Sequence, residues 1–230
     1  MKGYPRRESG DVVRESLSLP GARVLDVGCG DGALVRMMTR EGAQATGLEI
    51  NEAQLARARA ETPVGGESYR VGRAEALPFE DGAFDIVVFF NSLHHVPIEF
   101  QEKALAEAAR ILERGGRLFV MEPVAEGPHF ELLRPVDDET EVRAAAYAAV
   151  GRAADGPAFE EVREYGFATD YSYVSFEALK DSVLQVDGSR RTAFEVHEAQ
   201  LRMDFERTAD RTAEGYGFTH PKRLNLLKRL

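Results

Sequence analysis

Residues 24–32 read Val24-Leu25-Asp26-Val27-Gly28-Cys29-Gly30-Asp31-Gly32, an apolar run that passes into a glycine-rich turn. Gly28 and Gly30, with Ala33 in a third position for a small residue, match the loose fingerprint of a strand–turn–helix unit that binds a nucleotide. A pyrophosphate at such a turn needs bare backbone N–H groups, and a carboxylate at Asp26 would repel it. The stretch therefore predicts the start of an α/β fold whose ligand carries positive charge.

The carboxylate of Asp26 separates two classes of ligand. S-Adenosylmethionine contains a ribose and an adenine, carries an ammonium and a sulfonium group, and has no phosphate. Asp26 attracts those cations and opposes the pyrophosphate of a nicotinamide cofactor. The residues favour S-adenosylmethionine, with S-adenosylhomocysteine as its product. A nicotinamide-dependent oxidoreductase and a turn with a purely structural role are the less favoured alternatives.

A second strand is predicted over Ala43–Ile50, and it carries an acid near its end. Glu49 lies 19 residues after Gly30, the distance at which an acid accepts hydrogen bonds from ribose hydroxyls. Asn51 follows as a helix N-cap, with Gln54 at the spacing of a capping box. The unit of strand, acid, turn, helix, strand, acid and capped helix is more specific than the glycine pattern alone.

Composition limits the class of protein. The 230 residues suit one large domain or a domain with a sizeable insertion, and 43% of them are hydrophobic. The formal charge of −10 opposes binding of nucleic acid. Cys29 is the single cysteine, which suits a reducing compartment. No secretory leader, long apolar run, zinc-ligand pair or CxxC motif occurs, so we predict a soluble cytoplasmic protein without stable membrane insertion or a bound metal.

Hydrophobic patterning predicts strands that alternate with helices, which is typical of a doubly wound α/β sheet. After Pro123 the pattern changes, and residues 124–136 show no clear period. Pro221 favours an edge position or a bulge for the last strand, and basic residues nearby are typical of a solvated edge. The other predicted strands cover Arg23–Val27, Ser68–Val71, Phe84–Phe90, Arg117–Met121, 159–174 and Tyr216–Leu227. The outlying helices are predicted over 4–19, 97–113, 137–150, 175–184 and 190–209.

Residues 20–122 resemble the class I S-adenosylmethionine-dependent methyltransferases, in the small-molecule branch that includes ubiquinone-type enzymes. The resemblance rests on four stretches that are specific when taken together. They are Val24–Gly32, Gly47–Ile50, Ala74–Phe79 with Asp81–Asp85, and Leu93–Val96 with Leu112–Leu118.

The resemblance implies a single domain over 1–230, with a seven-stranded, mostly parallel sheet, helices on both faces and an antiparallel last strand. Residues 20–122 would form the cofactor-binding core, and 123–158 and 175–212 would form helical lid insertions that shape the acceptor pocket. The implied activity is in-line methyl transfer to a small-molecule or lipid-like acceptor. The residues implied in cofactor binding are Asp26, Gly28, Cys29, Gly30, Glu49, Ile50, Ala74, Glu75, Phe90 and His95.

Two positions leave alternatives open. Arg73 stands where the family often has an Asp that accepts from the adenine amino group, and Arg cannot accept. Either Arg73 points outward and Glu75 or a backbone carbonyl takes that role, or adenine is held mainly by apolar contact. His94 and His95 are expected to point to opposite sides, with His95 as a hydrogen-bonding loop residue or a proton acceptor. The sequence does not identify a catalytic residue or the methylated atom. It also leaves open whether the protein is a monomer or a homodimer. The alternative function is a cofactor-binding regulator without catalytic activity.

Overall fold

The computed structural model describes residues 3–186, 188–213 and 215–230. Within them the chain forms eight α-helices, eight strands and two short 3-10 helices at Leu93–His95 and Gly188–Arg190. In chain order the elements are α1 (Ser9–Ser16), β1 (Arg23–Val27), α2 (Ala33–Arg40), β2 (Gln44–Glu49), α3 (Glu52–Ala60), β3 (Ser68–Val71), β4 (Phe84–Phe90), α4 (Ile98–Ile111), β5 (Leu112–Pro123), α5 (Pro128–Leu133), α6 (Thr140–Asp155), β6 (Phe159–Tyr173), α7 (Phe176–Val186), α8 (Arg191–Thr208), β7 (Asp210–Thr212) and β8 (Gly215–Arg229).

The strands form one sheet in the order β3-β2-β1-β4-β5-β8-β6, and β7 pairs with β8 as a short antiparallel addition. β1 runs parallel to both β2 and β4, so that Val27 lies opposite Leu48 on one side and Phe89 on the other. The carboxyl ends of these three strands therefore meet at one edge, where open α/β sheets bind ligands. This order confirms the predicted doubly wound, mostly parallel sheet with antiparallel strands at its C-terminal side.

The last strand does not lie at the edge, so that part of the prediction from Pro221 was wrong. β8 lies between β5 and β6. Proline has no backbone N–H to donate, which usually keeps it out of internal strands. The Pro221 carbonyl can still accept a hydrogen bond, and it does so from the Val124 N–H at 2.9 Å.

The chain divides into two compact units. The larger unit contains Ser9–Glu122, Val142–Tyr165 and Arg223–Leu230, and the smaller contains the residues up to Glu8, Pro123–Glu141 and Gly166–Lys222. β6 and β8 each contribute residues to both. The predicted lid segment 123–158 is thus shared between the units, whereas 175–212 belongs to the smaller unit alone. A lid function for either segment stays a prediction.

The core of the larger unit forms around β4. Val87, Val88 and Phe89 are completely buried, as expected of a parallel strand covered on both faces. Ala104, Leu105 and Ala108 of α4 belong to the same apolar cluster, and so do Ala146 and Ala149 of α6.

The core of the smaller unit is aromatic. Phe205 of α8 packs against Phe176, Tyr216 and Phe218, with ring centroids 5.6, 4.5 and 5.4 Å away. Phe194, Leu201 and Phe205 lie along one side of α8 and are buried in this cluster.

Several predicted boundaries differ from the structure. The first helix covers only Ser9–Ser16 of the predicted 4–19. α4 ends at Ile111, two residues before the predicted end, and β5 begins at Leu112 and includes Gly115 and Gly116. α5 was not predicted, because six residues are too few to show a period. Among the described residues, no helix is both long enough and apolar enough to cross a membrane.

Candidate functional site

The turn after β1 depends on three glycines in the left-handed region. Gly28, Gly30 and Gly32 have φ values of 75°, 54° and 76°, which glycine adopts without steric cost. A Cβ on Gly28 would lie 2.6 Å from the Ser92 Cβ, whereas a Cβ on Gly30 would meet nothing within 4 Å. The turn is therefore closely packed at Gly28 and open at Gly30.

The backbone donors of this turn are already used within the protein. The N–H groups of Gly28 and Cys29 both donate to the Leu48 carbonyl, at 2.8 and 3.0 Å. The Gly30 N–H donates to Glu49 Oε2 at 3.0 Å, and the Gly32 N–H donates to the Cys29 carbonyl at 2.9 Å. A pyrophosphate bound here would compete with these bonds, which argues against the nicotinamide alternative on grounds separate from charge.

Glu49 connects the glycine turn to the start of α3. Its Oε2 accepts the Gly30 N–H, and its Oε1 accepts the Asn51 N–H at 2.8 Å. Asn51 is the N-cap of α3, since its Oδ1 accepts from Ala53 and Gln54. Each carboxylate oxygen keeps a further lone pair, so Glu49 is able to accept ligand hydroxyls as well.

Asp26 is the buried acid of the site. It is 1% exposed, and its Oδ1 has no hydrogen-bond partner. Burial, with a further contribution from the charge of Glu49, raises the pKa of Asp26 to about 8. The sequence predicted a carboxylate, but in the ligand-free protein the acid is mostly protonated at neutral pH. A bound cation would favour its ionised form.

Asn91, which the sequence analysis missed, lies directly after β4. It is the one non-glycine residue with positive φ in the described chain, at 54°, and its buried Oδ1 lacks a partner. Asparagine tolerates this conformation better than most residues. The chain then enters Ser92, whose Oγ donates to the Val27 carbonyl at 2.6 Å. An Asn that ends a central strand was the only signal available in the sequence.

The predicted adenine-facing residues follow β2 and β3. Ile50 leaves 56% of its surface exposed directly after Glu49. The Gly72 N–H donates to the Glu49 carbonyl at 3.1 Å, which starts the loop that carries Ala74 and Glu75 next to β2. These residues therefore lie near the same end of the sheet as the glycine turn.

The structure shows where the Arg73 side chain lies, while the group that meets the adenine amino group stays a prediction. The Arg73 side chain is 54% exposed and its Nε donates to Glu75 Oε1 at 2.5 Å. Burial acts to raise the pKa of Glu75, but the bond from Arg73 and backbone donors outweigh it, and the pKa is lowered. Arg73 thus points outward and keeps Glu75 ionised as an acceptor.

The histidine pair lies on the 3-10 turn after β4. Phe90 ends the strand, His94 is buried at 4% exposure, and His95 is exposed. The two rings are in contact, with centroids 4.0 Å apart. The expectation that they point to opposite sides was wrong, because it assumed extended backbone where the chain is helical. His94 Nδ1 bonds to Glu122 at the end of β5, a contact that the sequence analysis also missed.

The residues present fit S-adenosylmethionine. Asp26 and Asn91 each offer a buried acceptor oxygen without a donor, which suits a ligand rich in positive charge and N–H groups. Glu49 offers further acceptor capacity for ribose hydroxyls, and Ile50 offers an exposed apolar side chain. Because the N–H groups of the glycine turn already donate within the protein, the turn suits a ligand without phosphate.

Comparison with known proteins supports this fit. Residues 25–120 match the family described as "Methyltransferase domain". The ubiquinone biosynthesis O-methyltransferase of Hahella chejuensis is 38% identical over 112 residues, which is 47% of this chain and 46% of that protein. The 27-O-demethylrifamycin SV methyltransferase of Amycolatopsis mediterranei is 39% identical over 103 residues, or 43% and 37% of the two chains. The chain thus matches less than half the length of either relative.

Solved structures match over nearly the whole chain. A protein of Bacillus halodurans, titled as a methyltransferase candidate, superposes with a TM-score of 0.64 at 20% identity and covers 95% of this chain and 96% of its own. The [4+2]-cyclase SpnF gives 0.61 at 24% identity, with 95% and 79% covered. These superpositions show that the chain shares the fold of these proteins. Because SpnF is named as a cyclase, the fold by itself does not identify a reaction.

Proposed function

We propose that this chain, whose residues 25–120 match a methyltransferase domain family, is a class I methyltransferase that transfers a methyl group from S-adenosylmethionine to a small-molecule acceptor. The alternative is a cofactor-binding regulator without catalytic activity. The reaction is an in-line displacement, for which the protein needs to hold the acceptor close to the methyl group and exclude water.

The observation that carries the proposal is the buried, unpartnered Oδ1 of Asp26, which lies beside a turn whose N–H groups at Gly28, Cys29, Gly30 and Gly32 already donate within the protein. An unsatisfied buried acid is costly unless a ligand provides its partner. An ammonium or sulfonium would favour the ionised form of this acid, whereas the negative charge of a phosphate would oppose that form. When bound, S-adenosylmethionine supplies a methyl group that is already activated on a positively charged sulfur.

The residues divide by the part of the cofactor that each suits. Asp26 and Asn91 would accept from or attract the positive methionine end, and Glu49 would accept from the ribose. Ile50 and Ala74 would provide apolar contact for adenine, with the Glu75 carboxylate at its edge. Gly28, Cys29 and Gly30 would bring backbone close to the ligand, and Phe90 and His95 would lie toward the methyl group.

The acceptor is proposed from the names of the relatives. Both transfer methyl groups, and the Hahella chejuensis protein is named as an O-methyltransferase. An oxygen acceptor on a small molecule is therefore the first to be tested, and a lipid-like acceptor belongs to the same proposal. Cytoplasmic location and a monomeric or homodimeric state stay predictions.

Calorimetry with S-adenosylmethionine and S-adenosylhomocysteine tests the site. We expect binding by the wild-type chain, and at least about tenfold weaker binding by Asp26→Asn and Glu49→Ala, because each loses a charge-assisted contact. Glu80→Ala, an exposed acid of the same unit, is the matched control and should bind as the wild type does. Unchanged affinity in both site variants would contradict the assignment.

Turnover separates the two functions. Transfer of a labelled methyl group to a panel of phenols, catechols and amines should give methylated product with the wild-type chain. Tight cofactor binding with no transfer to any acceptor would favour the regulatory alternative.

A further inference from the structure

The carboxylate of Glu122, at the end of β5, collects the backbone donors of the turn after β4. Its Oε1 accepts the N–H groups of Ser92 and Leu93, at 3.0 and 2.9 Å. Its Oε2 accepts the His94 N–H at 3.4 Å and bonds to His94 Nδ1. Three successive backbone donors and one ring nitrogen therefore converge on one side chain, which is 13% exposed.

The turn depends on this carboxylate because its donors are buried. Ser92, Leu93 and His94 all lie in the interior, so water is a poor replacement for the acid. Asn91 precedes the donors with a φ of 54°, and such a left-handed residue lets successive N–H groups converge on one anion. A buried N–H group that loses its acceptor is costly, so removal of the carboxylate would favour movement of the turn.

Ser92 joins this turn to the glycine turn after β1. Its Oγ donates to the Val27 carbonyl at 2.6 Å. Its Cβ lies so close to Gly28 that a Cβ on that glycine would be 2.6 Å away. Ser92 is thus held by Glu122 through its backbone and by the glycine turn through its side chain, and a shift of its backbone would change the space beside Gly28.

Asp85 is the corresponding acid at the opposite end of the same strands. It lies near the start of β4, and its Oδ2 accepts the Arg23 N–H at the start of β1, at 2.7 Å. Its Oδ1 accepts from the Arg23 guanidinium. Asp85 and Glu122 therefore both accept backbone donors at strand ends, but of the two only Glu122 does so beside the glycine turn.

We propose, on the basis of the proposed function, that Glu122 is a positioning residue for the cofactor. It sets the backbone from Asn91 to His94 and, through Ser92, the position of the turn at Gly28, where the methionine end of S-adenosylmethionine would lie. Glu122 acts through these residues and not by direct contact. Its removal should therefore weaken recognition of the methionine end more than recognition of adenosine.

Calorimetry with two ligands tests this role. S-Adenosylhomocysteine has the complete amino-acid end, whereas methylthioadenosine has the adenosine and the sulfur without it. Glu122→Gln leaves one oxygen for two of the donors and loses the acceptor of the third, so the affinity for S-adenosylhomocysteine should fall about tenfold. The affinity for methylthioadenosine should fall much less. Asp85→Asn, the matched control, should bind both ligands as the wild type does.

Glu122→Ala tests whether a carboxylate at this place is what the turn requires. The substitution leaves three buried N–H groups without their acceptor and should weaken binding of S-adenosylhomocysteine by about 10²-fold. Formate has the same two oxygens and should restore at least about tenfold of this loss, whereas sodium chloride at equal ionic strength should not. Formate should leave binding by the wild-type chain and by Asp85→Asn unchanged. If Glu122→Ala does not fold, the comparison of the two ligands in Glu122→Gln decides.

The outcomes separate this inference from the proposed function. An equal loss for the two ligands in Glu122→Gln, or no loss, would overturn the positioning role while cofactor binding by the wild-type chain stands. A folded Glu122→Ala that formate does not restore would overturn it as well. Failure of the wild-type chain to bind S-adenosylhomocysteine would instead defeat the proposed function, and the role of Glu122 with it.

Discussion

The larger and the smaller unit contain buried polar groups of different kinds. In the larger unit, the buried oxygens of Asp26 and Asn91 lack partners at the ends of central strands. In the smaller unit, buried His129 bonds to Tyr173 at 2.9 Å and to His220 at 3.1 Å. Unsatisfied buried groups cost stability, and proteins keep few of them.

We expect the two acceptor oxygens of the larger unit to contribute to cofactor affinity, and the aromatic cluster of the smaller unit to contribute to stability alone. All residues proposed to hold the cofactor lie in the larger unit. The smaller unit is stabilised by an aromatic cluster and by paired side chains. The predictions below test this division by comparing stability with cofactor affinity.

The largest expected effect is on the stability of the smaller unit. Phe205→Ala removes a ring that is 1% exposed and should lower the free energy of unfolding by about 3–5 kcal/mol. Urea unfolding would measure this, and calorimetry at low temperature should show unchanged affinity for S-adenosylhomocysteine. Val196→Ala on the same helix, 73% exposed, should change stability by less than about 0.5 kcal/mol. If Phe205→Ala also lost affinity for the cofactor, the result would contradict the separation of cofactor binding from the stability of the smaller unit.

Asp26→Asn should have the next largest effect, and its sign depends on pH. The pKa of Asp26 in the folded protein, about 8, lies above its ordinary value of 3.8, so between these pH values the folded state holds a proton that the unfolded state has released. Wild-type stability should therefore fall relative to the variant as pH rises from 4 to 8, by a few kcal/mol in all. Unfolding at pH 4.5 and pH 8.5 measures this.

The same substitution affects ligand binding in the opposite sense. A cation favours the ionised form of Asp26, so cofactor binding should release a proton, and wild-type affinity should rise more steeply with pH than that of Asp26→Asn. Equal pH dependence of the two proteins would show that Asp26 does not interact with the ligand.

Gly28→Ala and Gly30→Ala form a matched pair with a smaller expected effect. Both substitutions place a Cβ at positive φ, but only the first meets Ser92 at 2.6 Å. Gly28→Ala should be less stable than Gly30→Ala by about 1–3 kcal/mol, because the neighbouring turn needs to move. Thermal unfolding compares the two variants. Equal stabilities would mean that the turn carrying Ser92 accommodates a Cβ at position 28 without a cost in stability.

The helix caps provide the smallest test, with one cap in each unit. Asn51 caps α3, and Ser175 caps α7 through its Oγ and the Ala178 N–H at 3.1 Å. Each change to Ala should cost about 1 kcal/mol of stability. Only Asn51→Ala should weaken cofactor binding, because loss of the side-chain cap loosens the first turn of α3, where the backbone N–H at position 51 donates to Glu49. Equal effects on affinity would contradict the division.

Local signals in the sequence predicted local structure well. The bounds of β1, β3 and β4 agree with the structure, and Asn51 is the N-cap that its spacing predicted. These features depend on neighbouring residues and on apolar runs, both of which a single sequence displays. The methyltransferase resemblance of residues 20–122 is confirmed by the family match at 25–120.

Features that depend on tertiary contacts were not predicted. Glu122 and His94 are 28 residues apart on different elements, and nothing local joins them. The protonation of Asp26 depends on burial, which the sequence does not show. The basic residues near the C-terminus were expected on a solvated edge strand, but Lys222 is 3% exposed and the Arg223 guanidinium lies 3.5 Å above the Tyr147 ring.

Glu49 has a consequence for how occupancy of the site could be followed. One of its oxygens accepts the Gly30 amide and the other accepts the Asn51 amide. A ribose that draws on the same carboxylate would weaken both bonds at once. The two amide resonances should therefore move together on titration, and they offer a paired readout of ligand arrival that requires neither a label on the ligand nor a catalytic turnover.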